Sequence, residues 1–407
     1  MRPDVHALAE PLTIVWLING DEGYGVANGI LTLTRAVRKR GHTPLILSLL
    51  DGPLTTKLRE AGFEVVVLGD AKAPNLVGGA LVKPAQAWRL WRFQRAATDR
   101  ILQALQGRRV DALHIRRPTH VTIAGRAGQR LGVPTVWQMP NPVSDRYPFG
   151  LNKRLFHRAC ARLNVLPIAN SHYTARSLGA GASEIAVLHL AIEPARWDPA
   201  AGGLSRAELG IAGDWLVFGV FARLSEEKGH ARFFEAMLSI ADPPAPLCLL
   251  AVGGPADGGV ARRLRALAAE REASARLVLR GFEDSPQRYY SVVDVAVNPR
   301  IDAEAFGHSV IEAMMMGRPV LAHALGGPAE TVLDGETGWH APGPSVDEFV
   351  ATIRRALADR PRWADMGARA RAAALESHTI DRYVDRYLAL VRQRINPVAA
   401  TAPPPAA

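Results

Sequence analysis

Apolar residues recur along this chain in short, nearly unbroken runs, each followed by a longer stretch with helical spacing. In the first half the runs are "LTIVWLIN" (12–19), "TPLILSLL" (43–50), "FEVVVLG" (63–69), "DALHI" (111–115), "PTVWQM" (134–139), "LPIAN" (166–170) and "IAVLHLAI" (185–192). Helix-like segments lie between several of them, at 25–40, 84–106 and 171–179. Strands that are apolar on both faces and alternate with helices predict parallel sheets covered on both sides. At 193–214, "EPARWDPAAGGLSRAELGIAGD", the pattern dissolves into Pro, Gly and polar residues, which predicts a linker.

The alternation then restarts with "WLVFGVFA" (215–222), "PLCLLAVGG" (246–254), "RLVLRGF" (276–282), "VVDVAVNP" (292–299), "PVLAHA" (319–324) and "GWHAP" (338–342). Helices are expected at 228–240, 258–272, 308–316, 346–358 and 361–376. The repeated pattern predicts an α/β protein of two doubly wound domains with a cleft between them. Ligands in such sheets sit at the carboxyl ends of the strands. The last residues, "PVAATAPPPAA", carry too little apolar surface to build a core and are expected to be disordered.

Composition narrows the picture. A chain of 407 residues is about two to three domains long. With 48% hydrophobic and 22% charged residues it has the balance of a soluble globular protein. No apolar run approaches the roughly 18 residues that a membrane span needs. The first residues lack the pattern of a secretory signal, so a cytoplasmic location is expected. Cys160 and Cys248 sit in apolar stretches and read as buried free thiols. The formal charge of +10 favours an anionic partner, but the basic residues are scattered and no zinc-finger or RNA-binding spacing is present. Nucleic acid is therefore not expected.

Candidate chemistry concentrates in "EAFGHSVIEAMMMGRP" (304–319), a strand-to-helix junction. A helix starting near His308 or Ser309 would leave its first amides unpaired at the positive end of the helix dipole, a natural phosphate site. Gly307 would allow close backbone approach. Glu304 before the helix and Glu312 inside it would repel a phosphate but accept hydrogen bonds from hydroxyl groups. Phosphate in the middle and hydroxyls at either end describe a nucleotide sugar. An N-terminal acidic residue plus one exposed helical glutamate would give the same spacing without any ligand.

Two further stretches point the same way. In "FARLSEEKGH" (221–230), Arg223 ends a strand and Lys228 opens the next helix, a pair suited to a diphosphate and to charge developing on a diphosphate leaving group. Solvated charges at a strand end are the plainer reading. In "GDEGYGVANG" (20–29), Gly23, Gly25 and Gly29 come near the dinucleotide fingerprint without completing it.

Taken together, residues 304–343 resemble the donor-site signature of the large retaining glycosyltransferase family with the GT-B fold, the group that includes glycogen synthases and bacterial mannosyltransferases. Its hallmark, two glutamates separated by seven residues, is matched by Glu304 and Glu312. "ARLSEEKG" is similar to the family's Arg-Leu-x-x-x-Lys-Gly segment, and "GVANGILTLTRAVRKRGH" to its first helix. The resemblance spans roughly 14–380 and implies two Rossmann-like domains facing across a cleft. It implies an acceptor-binding domain over 1–195, a donor-binding domain over 196–380, a helix over 381–395 packing back on the first domain and a disordered tail over 396–407.

By resemblance, Arg223 and Lys228 bind the donor diphosphate, Glu312 holds the ribose hydroxyls and Glu304 faces the transferred sugar. The backbone from Phe306 through Gly307 and His308 to Ser309 contacts sugar and phosphate. Gly281 and Phe282 border the base, and Gly25 approaches the phosphates. The donor is a UDP-, GDP- or ADP-linked sugar acting as co-substrate, and the acceptor is a hydroxyl group on a glycan, a lipid-linked or a small molecule. The family retains anomeric configuration, with a donor phosphate oxygen taking the acceptor proton. No cofactor or metal is implied, and the sequence holds no Asp-x-Asp triplet.

Some positions depart from the family. Its His-x-His pair is replaced by "HIRRPTH", where His114 matches the first histidine, Arg116 the second, and His120 lies four residues beyond. His120 is kept as a candidate contact to the transferred sugar. "WQMPNPVSD" lacks the usual histidine, "LHLAIE" replaces Pro-Asn-Gly-Val-Asp, and Arg300 stands where a small serine is usual. In 83–109, Leu90, Phe93, Ala97, Ile101 and Ala104 form one helical stripe flanked by Trp88, Trp91 and four arginines. Such a helix suits peripheral contact with an acidic membrane at the inner face, and packing on the first sheet explains the same stripe. Two rival functions remain open, a nucleotide-sugar epimerase of similar fold and a non-catalytic nucleotide-sugar-binding protein.

Overall fold

The computed structural model describes residues 10–69, 84–143, 151–179, 185–271 and 275–396. The chain divides into two compact units, Met1–Leu188 with Ile380–Ala407, and His189–Thr379. The division falls seven residues before the boundary placed in the sequence. The expected disordered tail lies, from 397 on, outside the described residues.

The first unit runs β1 (Thr13–Ile18), α1 (Tyr24–Lys39), β2 (Thr43–Ser48), α2 (Pro53–Glu60), β3 (Val65–Val67), α3 (Pro84–Ala104), β4 (Ala112–Ile115), α4 (Val121–Leu131), β5 (Thr135–Met139), α5 (Leu151–Arg162), β6 (Val165–Ala169), α6 (His172–Ser177) and β7 (Ala186–Val187). Its sheet has the order β3-β2-β1-β4-β5-β6-β7 with every pair parallel. Strand order reverses beside β1, as in doubly wound sheets. Val15, Leu17, Leu47, Ile115, Trp137 and Met139 form the centre of the core under Ile101 and Ile123 of the covering helices. The thiol of Cys160 is free and buried, and burial pushes it up to about 12.

The second unit runs β8 (Leu216–Phe221), α7 (His230–Leu238), β9 (Leu247–Val252), α8 (Gly259–Glu270), β10 (Ala275–Arg280), β11 (Val295–Asn298), α9 (His308–Met315), β12 (Val320–His323), α10 (Pro328–Thr331), β13 (Gly338–Ala341), α11 (Val346–Ala358) and α12 (Trp363–Ser377). Its strands order β10-β9-β8-β11-β12-β13, again all parallel. Two apolar clusters lie on opposite faces, one around Phe218, Phe233, Phe349 and Trp339, the other around Tyr290, Ile311, Met314 and Met315. These are two Rossmann-like domains, the architecture of the GT-B fold. The last helix, α13 (Ile380–Ile395), belongs to the first unit and packs on α1.

Two expectations need correction. The run 185–192 is not one long strand, because only Ala186 and Val187 pair with β6. Leu188 and Ile192 are nonetheless buried, and Ile192 makes an isolated bridge with Thr379. The apolar run therefore records burial rather than strand pairing. The supposed linker 193–214 is part of the second unit, with 3-10 turns at Pro194–Arg196, Pro199–Ala201 and Ala207–Leu209. Trp197, Leu209 and Ile211 anchor it in the core.

Candidate functional site

The loops after β8 and β11 begin at adjacent parallel strands, so the sheet alone brings Lys228 and Glu304 close. After β8 the chain makes a 3-10 turn at Glu226–Lys228 that ends at Gly229. Gly229 has φ of +74°, and a Cβ there would lie 1.9 Å from the Pro299 carbonyl oxygen. Only glycine lets the Lys228 turn press against the loop that carries Glu304. The Ile301 amide donates to the Glu227 carbonyl at 3.0 Å and fastens the two loops together.

Glu304 is fixed through its own backbone. Its amide donates to Leu325 O (3.2 Å), and its carbonyl accepts from the Gly327 amide (2.8 Å). Its half-buried carboxylate takes the Lys228 ammonium at 2.8 Å on Oε2. Arg300 reaches both carboxylate oxygens at 3.3 Å from one terminal nitrogen while pairing with Asp302 through Nε at 2.5 Å. The carbonyl of Arg300 lies 2.8 Å from His323 Nδ1, which therefore carries the proton. Arg300 holds the Asp302 carboxyl below the usual carboxylate range.

Helix α9 follows at once. Gly307 caps it with φ of +94°, a left-handed conformation suited to glycine. His308 is exposed, Ser309 half-buried, and Phe306 and Gly307 buried, so the loop is anchored by the Phe306 ring. That ring packs between His189 and His378, at centroid distances of 5.7 and 5.8 Å. The His189 Nε2 lies 3.0 Å from a Glu330 carboxylate oxygen.

Glu312 sits one turn inside α9. Burial pushes its carboxyl up to about 7, only partly offset by Arg196. Its carboxylate has no hydrogen-bond partner among the described residues. Tyr290 nearby stacks on Phe221 at 3.7 Å, and its hydroxyl donates to Ser309 O at 3.4 Å.

The remaining sequence-predicted residues have surroundings of their own. Arg223 is exposed and pairs with the Glu227 carboxylate at 3.4 Å, while Glu227 is fixed by the Ser225 hydroxyl at 2.7 Å. Gly281 and Phe282 follow β10, where Phe282 is 59% exposed. Gly25 lies in the first turn of α1 with open space where a Cβ would be. His120 is buried at the start of α4, and burial holds its ring down to about 3, so it is neutral. His114 is buried as well, its Nδ1 2.9 Å from the Tyr387 hydroxyl of α13 and its ring 3.8 Å from Trp16. Sequence reasoning noted Arg300 only as a departure and missed its contact with Glu304.

Comparison with known proteins bears on this arrangement. A family model described as "Glycosyl transferases group 1" matches residues 204–373, and one described as "Glycosyl transferase 4-like domain" matches residues 24–191. The chain is 32% identical over 164 residues to lipopolysaccharide 1,2-N-acetylglucosaminetransferase of Salmonella typhimurium, covering 39% of this chain and 43% of that one. It is 27% identical over 351 residues to 2-deoxystreptamine glucosyltransferase of Streptomyces kanamyceticus, covering 81% and 89%. The chain spans about half the length of several curated relatives it matches at higher identity. Among solved structures, Anabaena Alr3699/HepE in complex with UDP superposes with a TM-score of 0.76 at 19% identity, over 94% of this chain and 100% of that one.

Proposed function

The chain belongs to the group 1 glycosyltransferase family, built on the GT-B fold, and from that premise we propose that it moves a sugar from a nucleoside diphosphate sugar to a hydroxyl acceptor with retention of anomeric configuration. The observation that carries this reading is the half-buried Lys228 ammonium beside Glu304, next to the start of α9. Lys228 and the exposed Arg223 take the diphosphate, and the first amides of α9 add their donors. Glu304 faces the hydroxyls of the transferred sugar, and Glu312 accepts from the ribose hydroxyls. Phe282 offers an exposed apolar face to the base, and Gly25 leaves open space for close approach of phosphate.

In the reaction the bond between the anomeric carbon and the diphosphate oxygen breaks, and a new bond to the acceptor oxygen forms on the same face. The acceptor proton passes to a phosphate oxygen of the leaving group. Lys228 and Arg223 stabilise the charge that builds on the diphosphate, so the reading calls on no divalent ion. His120, the sequence's candidate contact to the sugar, is neutral and buried in the first unit.

A thermal-shift panel of UDP, GDP, ADP, TDP and CDP with their sugar conjugates tests the donor. UDP heads it because the Anabaena relative is complexed with it. A ligand at 100 times its Kd stabilises the fold by about 2.7 kcal/mol. Proton NMR of the product, reading the anomeric coupling, tests retention, and an inverted product would refute it. Sugar isomerisation without an acceptor would favour the epimerase.

The partner reading extends to membranes. The second half of α3 buries Ala97 and Ile101 in the core, while Trp88 and Trp91 in its first half are exposed, with Arg92 and Arg95 over their rings. No helix among the described residues is long and apolar enough to cross a membrane. The exposed tryptophan and arginine face supports peripheral contact with acidic lipid.

A further inference from the structure

The Glu304 carboxylate holds two cations, although one would neutralise it. Lys228 lies on Oε2 at 2.8 Å, and the Arg300 guanidinium spans both oxygens at 3.3 Å. All three side chains are half-buried, with 17%, 21% and 14% of the Lys228, Arg300 and Glu304 side chains exposed. Asp302 completes the group and is far more exposed. The four charges sum to zero.

Such a network has a weak point if Lys228 is the diphosphate ligand, the reading on which this inference rests. An ammonium drawn toward phosphate loosens its hold on Glu304, and a half-buried carboxylate left without a cation is costly. Arg300 removes that cost. Its planar fork offers donors in fixed directions, enough to keep Asp302 and Glu304 at the same time. Its backbone is held by His323 on one side, and the Ile301 amide ties the same loop to Glu227 on the other. We propose that Arg300 is a positioning residue for donor binding, keeping Glu304 compensated and in place while Lys228 turns to the diphosphate.

The inference predicts a coupling between residues that share no ligand atom. Isothermal titration with UDP, or with whichever of UDP, GDP and ADP binds the wild-type protein most tightly, reads it directly. Arg300→Ala should weaken nucleotide binding about tenfold, because Lys228 is then kept by Glu304. Arg300→Lys should restore part of the affinity. In a Glu304→Gln background the same Arg300→Ala change should cost less than about twofold, since no carboxylate remains to compete for Lys228. Arg300→Met, which keeps the packing of the stem, serves where Arg300→Ala fails to fold, and thermal unfolding identifies that case. An equal loss in both backgrounds would mean that Arg300 touches the phosphate or merely scaffolds the loop, and would overturn the proposal. So would wild-type affinity in Arg300→Ala. A wild-type protein that binds none of the three nucleotides would remove the donor reading itself, and this inference with it.

Discussion

The two sheets share an architecture but treat the loop after their fourth-in-sequence strand differently. In the second unit the loop after β11 carries half-buried Arg300 and Glu304 and exposed Asp302, which pair with one another and with Lys228. In the first unit the strand β4 and the residues after it carry His114, Arg116 and His120. His114 is taken into the packing of α13, and His120 is buried at the base of α4. Arg116 donates to the Val26 carbonyl at 3.2 Å and lies against Gly29. One fold has thus gathered the polar residues of the corresponding loop into a half-buried charged group in one unit, and packed them into the protein in the other.

That contrast can be broken at several points. The largest effect is expected from Glu304→Ala and Lys228→Ala, each lowering sugar transfer more than about 100-fold with an unchanged circular dichroism spectrum. Activity within a few-fold of wild type in either variant would move the site elsewhere. In the first unit, Tyr387→Ala removes the His114 partner and a buried ring, and should cost about 3 kcal/mol or more of stability. Differential scanning calorimetry checks it, and nucleotide affinity should stay as it was.

A pH series sharpens the contrast further. Glu312 titrates at about 7 because burial disfavours its charged form, whereas hydrogen bonds from ribose hydroxyls favour that form. Binding must therefore ionise it below pH 7. Nucleotide affinity should rise with pH and level off above about 7, with a slope below it of up to roughly tenfold per pH unit. Glu312→Gln should flatten the profile, and an unchanged slope in that variant would refute the assignment. The smallest effect is expected from replacing Trp88 and Trp91 together with Ser. Stability should change by less than about 0.5 kcal/mol, while sedimentation with acidic liposomes falls.

What the sequence revealed of this site follows from distance along the chain. Glu304, Gly307 and Glu312 lie within one loop and the helix it opens, so their spacing alone carried the pattern. Lys228 joins them across neighbouring parallel strands, a proximity that strand order implies. The double hold on Glu304 depends on how the loop from Pro299 folds back, and nothing in the spacing of Arg300 encodes it. His114 is the opposite case. It stands at the first position of the family's histidine pair, yet its partner is Tyr387, 273 residues away. The run 185–192 misled for a different reason, since burial and strand pairing write the same apolar signature.

The return of α13 to the first unit has a consequence for synthesis. The Arg40 guanidinium waits for Asp381 and Asp385, Trp16 and His114 wait for Tyr387, and Gln138 waits for Tyr383. A growing chain therefore makes all of 189–379 before the first unit can close. Domains usually mature in the order in which they are made. Of these two units the one made earlier is the later to finish, and the buried face of its sheet depends on a helix made after the whole of the other.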